Sequence, residues 1–349
     1  FDFATGLKMV NKKFEQLFGE PTRTPESPIT EKHMDLAASI QKIIEEVVLK
    51  IARSIAKDTG ERNLCMAGGV ALNCVANGVL RSENIFDGIW IQPASGDAGG
   101  AVGAALAAWH LYYKKPRFTQ VENDSMQGAF LGPIFSNKEI EEEFKRIGAN
   151  FKKLNNSELV KVVATELSKQ KAVGWMQGRS EFGPRSLGNR SILADPRSPK
   201  MQRQLNLKIK YRESFRPFAP SVLEGDQKSW FEDQSSNPYM LFVTYLKGNK
   251  KTNLLPTQLE AKGLEQLDIP RSTVPAVTHV DYSARIHTVK KDTNPIFHSL
   301  LSKFKKITGC PILVNTSFNV RGEPIVLTPT DAFKCFMSTE LDILVVGQF

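Results

Sequence analysis

The chain has 349 residues, of which 41% are apolar and 24% charged, and it carries a formal charge of +9. That length is more than one ordinary core needs and predicts two domains, while the composition excludes a disordered or fibrous chain. No apolar run approaches the roughly 18 to 20 residues needed to cross a bilayer, and the first sixteen residues, FDFATGLKMVNKKFEQ, lack the order of a secretory signal. They also lack an initiator Met, so the chain is expected to begin inside a longer protein.

Residues 31–58 repeat apolar positions every three or four residues and predict a long amphipathic helix, ended by Gly60, that covers one face of a sheet. NLCMAGG, VALNCVANGVL and IFDGIWIQPA then read as strand, helix and strand. SGDAGGAVGAALAAWHLYY is Ala-rich, as a helix packed tightly on a sheet would be. Residues 114–127 lose apolar periodicity and read as an interdomain linker, so the first domain closes near Tyr113. NKEIEEEFKRIG and NSELVKVVATELSKQ predict surface helices, and AVGWMQG a buried strand. Further strands are expected at PYMLFVTYL, PAVTHV, ARIHTV, PILVNTS and DILVVG, with helices at TNPIFHSLLSKFKKITG and TDAFKCFMST. Residues 249–273 read as an exposed loop. The pattern predicts an α/β protein with a sizeable mixed sheet.

Cys65, Cys74, Cys310 and Cys335 form no Cys-x-x-Cys pair, which argues against a disulfide framework or a zinc site and fits the cytoplasm. The basic balance admits nucleic acid or phosphate-bearing small molecules. Arginines concentrate in 179–216 among glycines and prolines, and no basic run is interleaved with aromatics, so phosphate pockets are the better reading. No P-loop, His-Glu-x-x-His or Gly-x-Ser-x-Gly motif is present.

Four segments carry chemistry-bearing residues. Gly68 and Gly69 end a strand before a helix whose free N–H groups favour a nucleotide, with Asn73 placed to bond a base or ribose. A tight turn without ligand is the equal alternative. Gly96 and Asp97 lie in a second glycine-rich turn, where Asp97 is either a carboxylate for a divalent cation or a helix N-cap. Arg179, Arg185 and Arg190 are spread through GRSEFGPRSLGNR, whose turn-forming residues suit a loop that offers guanidinium forks to oxyanions. Arg185 lies between two turns and is expected to be the one held in place. Lys210 and Arg216 bracket a short aromatic turn that Pro217 restrains, and such a pair neutralises a departing phosphate or pyrophosphate. In VNTSFNVRGEP, Ser317 and Asn319 stand two residues apart, so both project from one strand face. His279 and Arg285, on adjoining candidate strands, either line the same cavity or, for His279, form a satisfied core histidine.

Taken together, GGVALN, SGDAGGA, GRSEFGPRSLGNRSILADPR, KYRESFRPFAPSVL and LVNTSFNVRGEPIV resemble the O-carbamoyltransferase family of antibiotic and nodulation-factor biosynthesis, from about residue 28 to the end. The resemblance implies the C-terminal half of an actin-like (ASKHA) domain over 1–113, followed by a YrdC-like domain over 128–349. It implies formation of carbamoyladenylate from carbamoyl phosphate and ATP in the second part, and carbamoyl transfer to a hydroxyl of a small acceptor in the first. By motif, Arg185, Lys210, Arg216, Arg285, Ser317 and Asn319 would surround the phosphates and adenylate, with Arg179 and His279 beside them. Gly68, Gly69, Asn73 and Gly96 would hold nucleotide in the transfer site. Magnesium would accompany ATP, and iron or another divalent ion would bind Asp97.

Family members carry, ahead of the matching region, the first half of the actin-like domain with a His-x-x-x-His metal motif. None of the five histidines here has that spacing. The activating half is therefore expected whole and the transfer half in part. Neither a membrane nor a nucleic acid is the expected partner, and a homodimer is left open. A threonylcarbamoyl enzyme acting on tRNA, a hydrogenase-maturation carbamoyltransferase and a non-catalytic nucleotide-binding protein are the competing readings.

Overall fold

A computed structural model of the chain describes residues 10–24, 26–118 and 124–349, so residues 1–9 of the N-terminal reading and 119–123 of the expected linker lie outside the described residues. The chain divides into two compact units, up to Ile44 and from Glu45 onward. In the first, helix α1 (Lys12–Phe18) starts at Asn11, whose side chain accepts the N–H groups of Lys13 and Phe14, and stops at Gly19 in the left-handed conformation. Helix α2 runs over Glu31–Thr59, as its periodicity predicts.

The second unit begins with the expected strand, helix and strand: β1 (Asn63–Met66), α3 (Cys74–Ser82) and β2 (Gly88–Ile91), followed by α4 (Asp97–Ala107). β1 and β2 pair in parallel, with Asn63 opposite Gly88 and Met66 opposite Ile91. α2 packs Val48, Leu49, Ala52 and Ala56 in one cluster with Leu64 and Met66 of β1 and Ile89 of β2, but two four-residue strands offer it little surface, and the expected packing of α4 on a sheet is not found. In α2 the only buried residue is Ala52, which meets Leu80 and Phe86, while Val47, Ile51 and Ile55 stay exposed. The Ala-rich α4 buries none of its residues.

The main core follows. Helices α5 (Asn137–Arg146) and α6 (Asn156–Ser168) each open with a capping box, from Ser136 to Glu139 and from Asn155 to Glu158. β3 (Val173–Met176), β4 (Arg190–Ala194), β5 (Ala219–Leu223), β8 (His287–Val289), β9 (Ile312–Ser317) and β10 (Ile343–Val346) form a six-stranded sheet in the order β10-β3-β4-β9-β5-β8. The outer pairs β10/β3 and β5/β8 are parallel and the inner pairs antiparallel, so the sheet is mixed. β6 (Val243–Tyr245) and β7 (Ser283–Arg285) make a separate antiparallel pair.

The one-turn helices α7 (Met201–Gln204), α8 (Gln227–Trp230) and α9 (Pro256–Leu259) punctuate the long connections. Helix α10 (Pro295–Thr308) lies against α6, β5 and β9, and α11 (Pro329–Met337) against α5, β3 and β10. α10 buries Phe297, Leu300, Leu301 and Phe304, one helical stripe, each worth about 1.5–3 kcal/mol on removal from water.

Two strands arise where the sequence reads as motif. β4 is the SILA end of the arginine-rich loop segment and β5 is the APSVL end of the Lys210 motif, both buried throughout. Conversely, PAVTHV is not a strand. Pro275 has no N–H to give, Thr278 Oγ1 donates to Val274 O at 2.9 Å, and a single 3-10 turn, Pro275–Val277, results. Only the last part of PYMLFVTYL pairs. Before it, the Asn237 side chain accepts Leu241 N–H and donates to Phe242 O, holding a turn with Met240 at positive φ.

Candidate active site

β1 delivers the first glycine turn. Gly68 sits at φ +99°, where a side chain would be strained, and its N–H donates to Ser95 O at 2.8 Å, so the two glycine turns lie side by side. A Cβ on Gly68 or Gly69 would meet nothing within 4 Å, so this backbone is open to an incoming group. Asn73 caps α3, accepting Ala76 N–H at 3.1 Å. In the second turn Gly96 is the N-cap of α4, without a side-chain cap, and Asp97 is the first helical residue. Ser95 Oγ is buried there without a partner. Among the described residues no three His, Cys, Asp or Glu side chains gather as a metal donor set, so Asp97 stands without the co-ligands that an iron or similar ion would need.

The loop between β3 and β4 is held on all sides. Phe182 N–H donates to Ala129 O at 2.7 Å and Trp175 Nε1 to Gly188 O at 2.9 Å, while Asn315 Nδ2 donates to Ser186 O at 3.1 Å. Gly183 and Gly188 take φ of +132° and +100°, and a Cβ on Gly188 would lie 2.3 Å from the Phe297 ring. The three arginines of the loop separate into different roles. Arg190 is wholly buried and donates to the carbonyls of Gln177, Gly178, Asn189 and Pro133, which makes it structural. Arg179, exposed, donates to Gly132 O at 3.0 Å. Arg185 reaches back to the first glycine turn, with one guanidinium nitrogen donating to Leu72 O at 3.0 Å and Nε buried without a partner. Burial, then the neighbouring Arg285, brings the Arg185 pKa down to about 10. A cation placed so is poised for an anion that the loop does not itself supply.

Lys210, buried, is the densest point. Its Nζ donates toward Ser317 O, to Ser317 Oγ at 3.1 Å, to Asn319 O at 2.9 Å and to Asn319 Oδ1 at 2.8 Å. Ser317 Oγ donates to Asn319 Oδ1 at 2.7 Å, and Asn319 Nδ2 to Glu323 O. No carboxylate is among the acceptors of this ammonium. Burial, followed by the charge of Arg212, lowers its pKa to about 7.

Arg212, which the sequence reading passes over, joins the cluster. Its Nε donates to Asn206 Oδ1 at 2.7 Å, and burial, then the charges of Arg216 and Arg285, lowers its pKa to about 10. Its signal was its place between Lys210 and Arg216. Arg216 is half-exposed and pairs with Glu213 at 3.1 Å. Arg285 ends β7 and lies within electrostatic reach of Arg185, Arg212 and His279. His279 follows the 3-10 turn instead of lying on a strand, its Nδ1 3.0 Å from Ser283 Oγ. Burial holds its pKa below the ordinary histidine range. Arg185, Arg285, Arg212 and Lys210, with the Glu213-paired Arg216 beside Arg212, are thus linked by their mutual charge effects into one row of cations, anchored at the Leu72 carbonyl by Arg185 and at Ser317 and Asn319 by Lys210.

Set beside known proteins, residues 164–349 match the model of the carbamoyltransferase C-terminus and residues 1–106 that of the carbamoyltransferase N-terminus. The chain belongs to the carbamoyltransferase family. This carbamoyltransferase chain is 54% identical over 351 residues to the uncharacterized protein sll1178 of Synechocystis, covering 100% of this chain and 57% of that protein. It is 41% identical over 327 residues to nodulation protein NolO of Bradyrhizobium diazoefficiens (92% and 55%), and 35% identical over 263 residues to nodulation protein U of Rhizobium tropici (75% and 39%). The chain thus spans about half the length of the curated relatives it matches. The C-terminus match contains the arginine loop and the Lys210 cluster; the N-terminus match contains both glycine turns. No described helix is long and apolar enough to cross a membrane.

Proposed function

We propose that the chain carries the carbamoyl-activating site, and part of the acceptor site, of an ATP-dependent O-carbamoyltransferase. Residues 128–349 would form carbamoyladenylate from carbamoyl phosphate and ATP, and residues 1–113, joined through 114–127, would take part in passing the carbamoyl group to a hydroxyl of a small metabolite. The observation that carries this reading is Lys210: a buried ammonium with no carboxylate among its acceptors, in a row with Arg212, Arg216, Arg285 and Arg185.

Atom balance sets the steps. Water converts carbamoyl phosphate to carbamate and phosphate; a carbamate oxygen attacks the α-phosphorus of ATP, and the bond to the β-phosphate oxygen breaks to release pyrophosphate. Both steps build negative charge on leaving oxygens, which cations fixed in advance stabilise more in the transition state than in the ground state. Lys210 and Arg212 suit the pyrophosphate end, and the Asn319 amide offers its second N–H to the carbamoyl oxygens, while the Ser317 hydroxyl, given to Asn319 Oδ1, would have to turn to join it. In the final step the acceptor oxygen attacks the carbamoyl carbon, loses its proton, and AMP departs. The open backbone at Gly68 and Gly69, with Gly96 in the adjoining turn, suits the nucleotide there. Among the described residues Asp97 has no companion ligands for a transfer-site metal. Magnesium would arrive with ATP and neutralise its phosphates.

The test is ATP/pyrophosphate exchange with labelled pyrophosphate. Exchange is expected only with carbamoyl phosphate present, and Lys210→Ala should lower it about 100-fold or more. Exchange independent of carbamoyl phosphate, or undiminished in Lys210→Ala, would refute the reading.

A further inference from the structure

The Arg185 loop contains one carboxylate with no cation bonded to it. Glu181 Oε1 accepts three main-chain N–H groups: Leu187 at 2.7 Å, Asn189 at 2.9 Å and Arg190 at 3.3 Å. These donors all lie on the far side of Arg185. A side chain four residues before Arg185 therefore gathers the amides that follow it, and 182–186 become a closed loop with Arg185 near its tip. The rest of the scaffold grips the ends of that loop. Phe182 N–H and Trp175 Nε1 hold its flanks, and Asn315 holds Ser186 O. Asn189 Nδ2, donating to Arg179 O at 2.8 Å, and Arg190, donating to the Gln177 and Gly178 carbonyls, tie the base of the loop, and the Glu181 carboxylate adds the bond nearest its tip, accepted from Leu187 N–H.

We infer that Glu181 is the positioning residue of this site: its carboxylate closes the loop that sets Arg185 against the Leu72 carbonyl, and without it the Arg185 guanidinium leaves the row of cations. The functional part of this rests on the reading proposed above. Glu181 also has an electrostatic part. Arg190, wholly buried, bonds only to carbonyl oxygens, and the opposing charge acting on it is that of Glu181. The pair is charge-balanced without touching through a hydrogen bond, an arrangement in which the acceptor role and the charge role can be separated by mutation. Burial pushes the Glu181 carboxyl above its usual range, and the amides of Asn189 and Leu187 oppose that shift.

Glu181→Gln keeps an acceptor oxygen but removes the charge; Glu181→Ala removes both. Two readouts, one independent of turnover, are made on the full chain. The first is the rate at which phenylglyoxal modifies Arg185, followed by peptide mass mapping. It should be slow in the parent and in Glu181→Gln, and at least tenfold faster in Glu181→Ala. The second is carbamoyl-phosphate-dependent pyrophosphate exchange. Glu181→Ala should fall as far as Arg185→Ala, the double variant should fall no further, and Glu181→Gln should keep most of the activity although its unfolding midpoint drops.

An equal Arg185 modification rate in parent and Glu181→Ala, or losses that multiply in the double variant, would overturn the inference. Should Glu181→Ala not fold, amide exchange in the parent decides: the Leu187 and Asn189 amides must exchange orders of magnitude more slowly than free loop amides. A parent without pyrophosphate exchange would sink the functional reading while the modification rates still decide the role of Glu181.

Discussion

A lysine ammonium enclosed by Ser317 and Asn319 oxygens, with an arginine as its nearest charge, is held in an environment that disfavours its own charge. With its pKa lowered to about 7, it is mostly protonated at pH 6 and mostly neutral at pH 8. A bound polyanion stabilises the protonated form and raises the pKa again. Pyrophosphate affinity should therefore weaken as pH rises from 6 to 8, by at most about tenfold per unit, and binding above pH 7 should take up a proton. Calorimetry in two buffers of different ionisation enthalpy measures that uptake, and Lys210→Ala should abolish it. Arg185 follows a different logic. Its pKa of about 10 keeps it charged throughout this range, so Arg185→Ala should lower exchange without changing the shape of its pH profile. His287, buried and brought to about 3, stays neutral at these pH values, its Nδ1 2.8 Å from Ser221 Oγ, and contributes no charge to the profile.

At the scale of elements, the turn into β4 is the part least tolerant of change. Gly188 sits at positive φ with the Phe297 ring where a Cβ would go. Gly188→Ala should destabilise by about 2–4 kcal/mol, from backbone strain and overpacking together, as a shift of the urea midpoint. Helix α11 supplies a milder comparison. Thr328 caps it through Asp331 N–H at 3.1 Å while Asp331 reaches back to Thr328 N–H at 2.9 Å, so Thr328→Ala should cost about 1 kcal/mol with the site intact. The elements that the sequence shows plainly are those with a period: α6 and α10, each burying an i, i+3, i+4, i+7 stripe, and β9 and β10, short apolar runs bounded by turns. β4 and β5 are hidden because their apolar residues share segments with arginines, glycines and prolines, so composition pointed to a loop.

For the molecule as a whole, the small β1–α3–β2 layer is joined through side chains of α3 to the segment that leads into β6, outside the six-stranded sheet. Asn77 Nδ2 donates to both Ala71 O and Leu241 O, Arg81 pairs with Asp233 at 2.8 Å and lies over the Phe242 ring, and a Cβ on Gly78 would strike Val243. Removing Asn77 would leave two buried carbonyls without their donor, so Asn77→Ala should cost about 1–3 kcal/mol, read from the unfolding of the whole chain. On the proposed reading, tRNA binding should be no tighter than the micromolar, salt-sensitive range typical of non-specific association. Tight, specific binding would favour the threonylcarbamoyl alternative.

The sequence by itself determined the α/β class, the mixed sheet, most helices, and the motifs whose company pointed to carbamoyl transfer, because periodicity, turn residues and motif spacing are local properties. It was the family resemblance, carried by those motifs, that placed Lys210, Ser317 and Asn319 around one ligand. Only the tertiary structure decided which charges face one another. Arg190 and Arg185 stand five residues apart in the same loop and each keeps a buried Nε without a partner, yet Arg190 gives its other nitrogens to four main-chain carbonyls while Arg185 gives one to Leu72 O beside the first glycine turn. His279 and Asn73 are engaged with Ser283 and Ala76, and Arg212 enters the row unannounced. Those outcomes depend on burial and on partners far away in the chain, which no local pattern encodes.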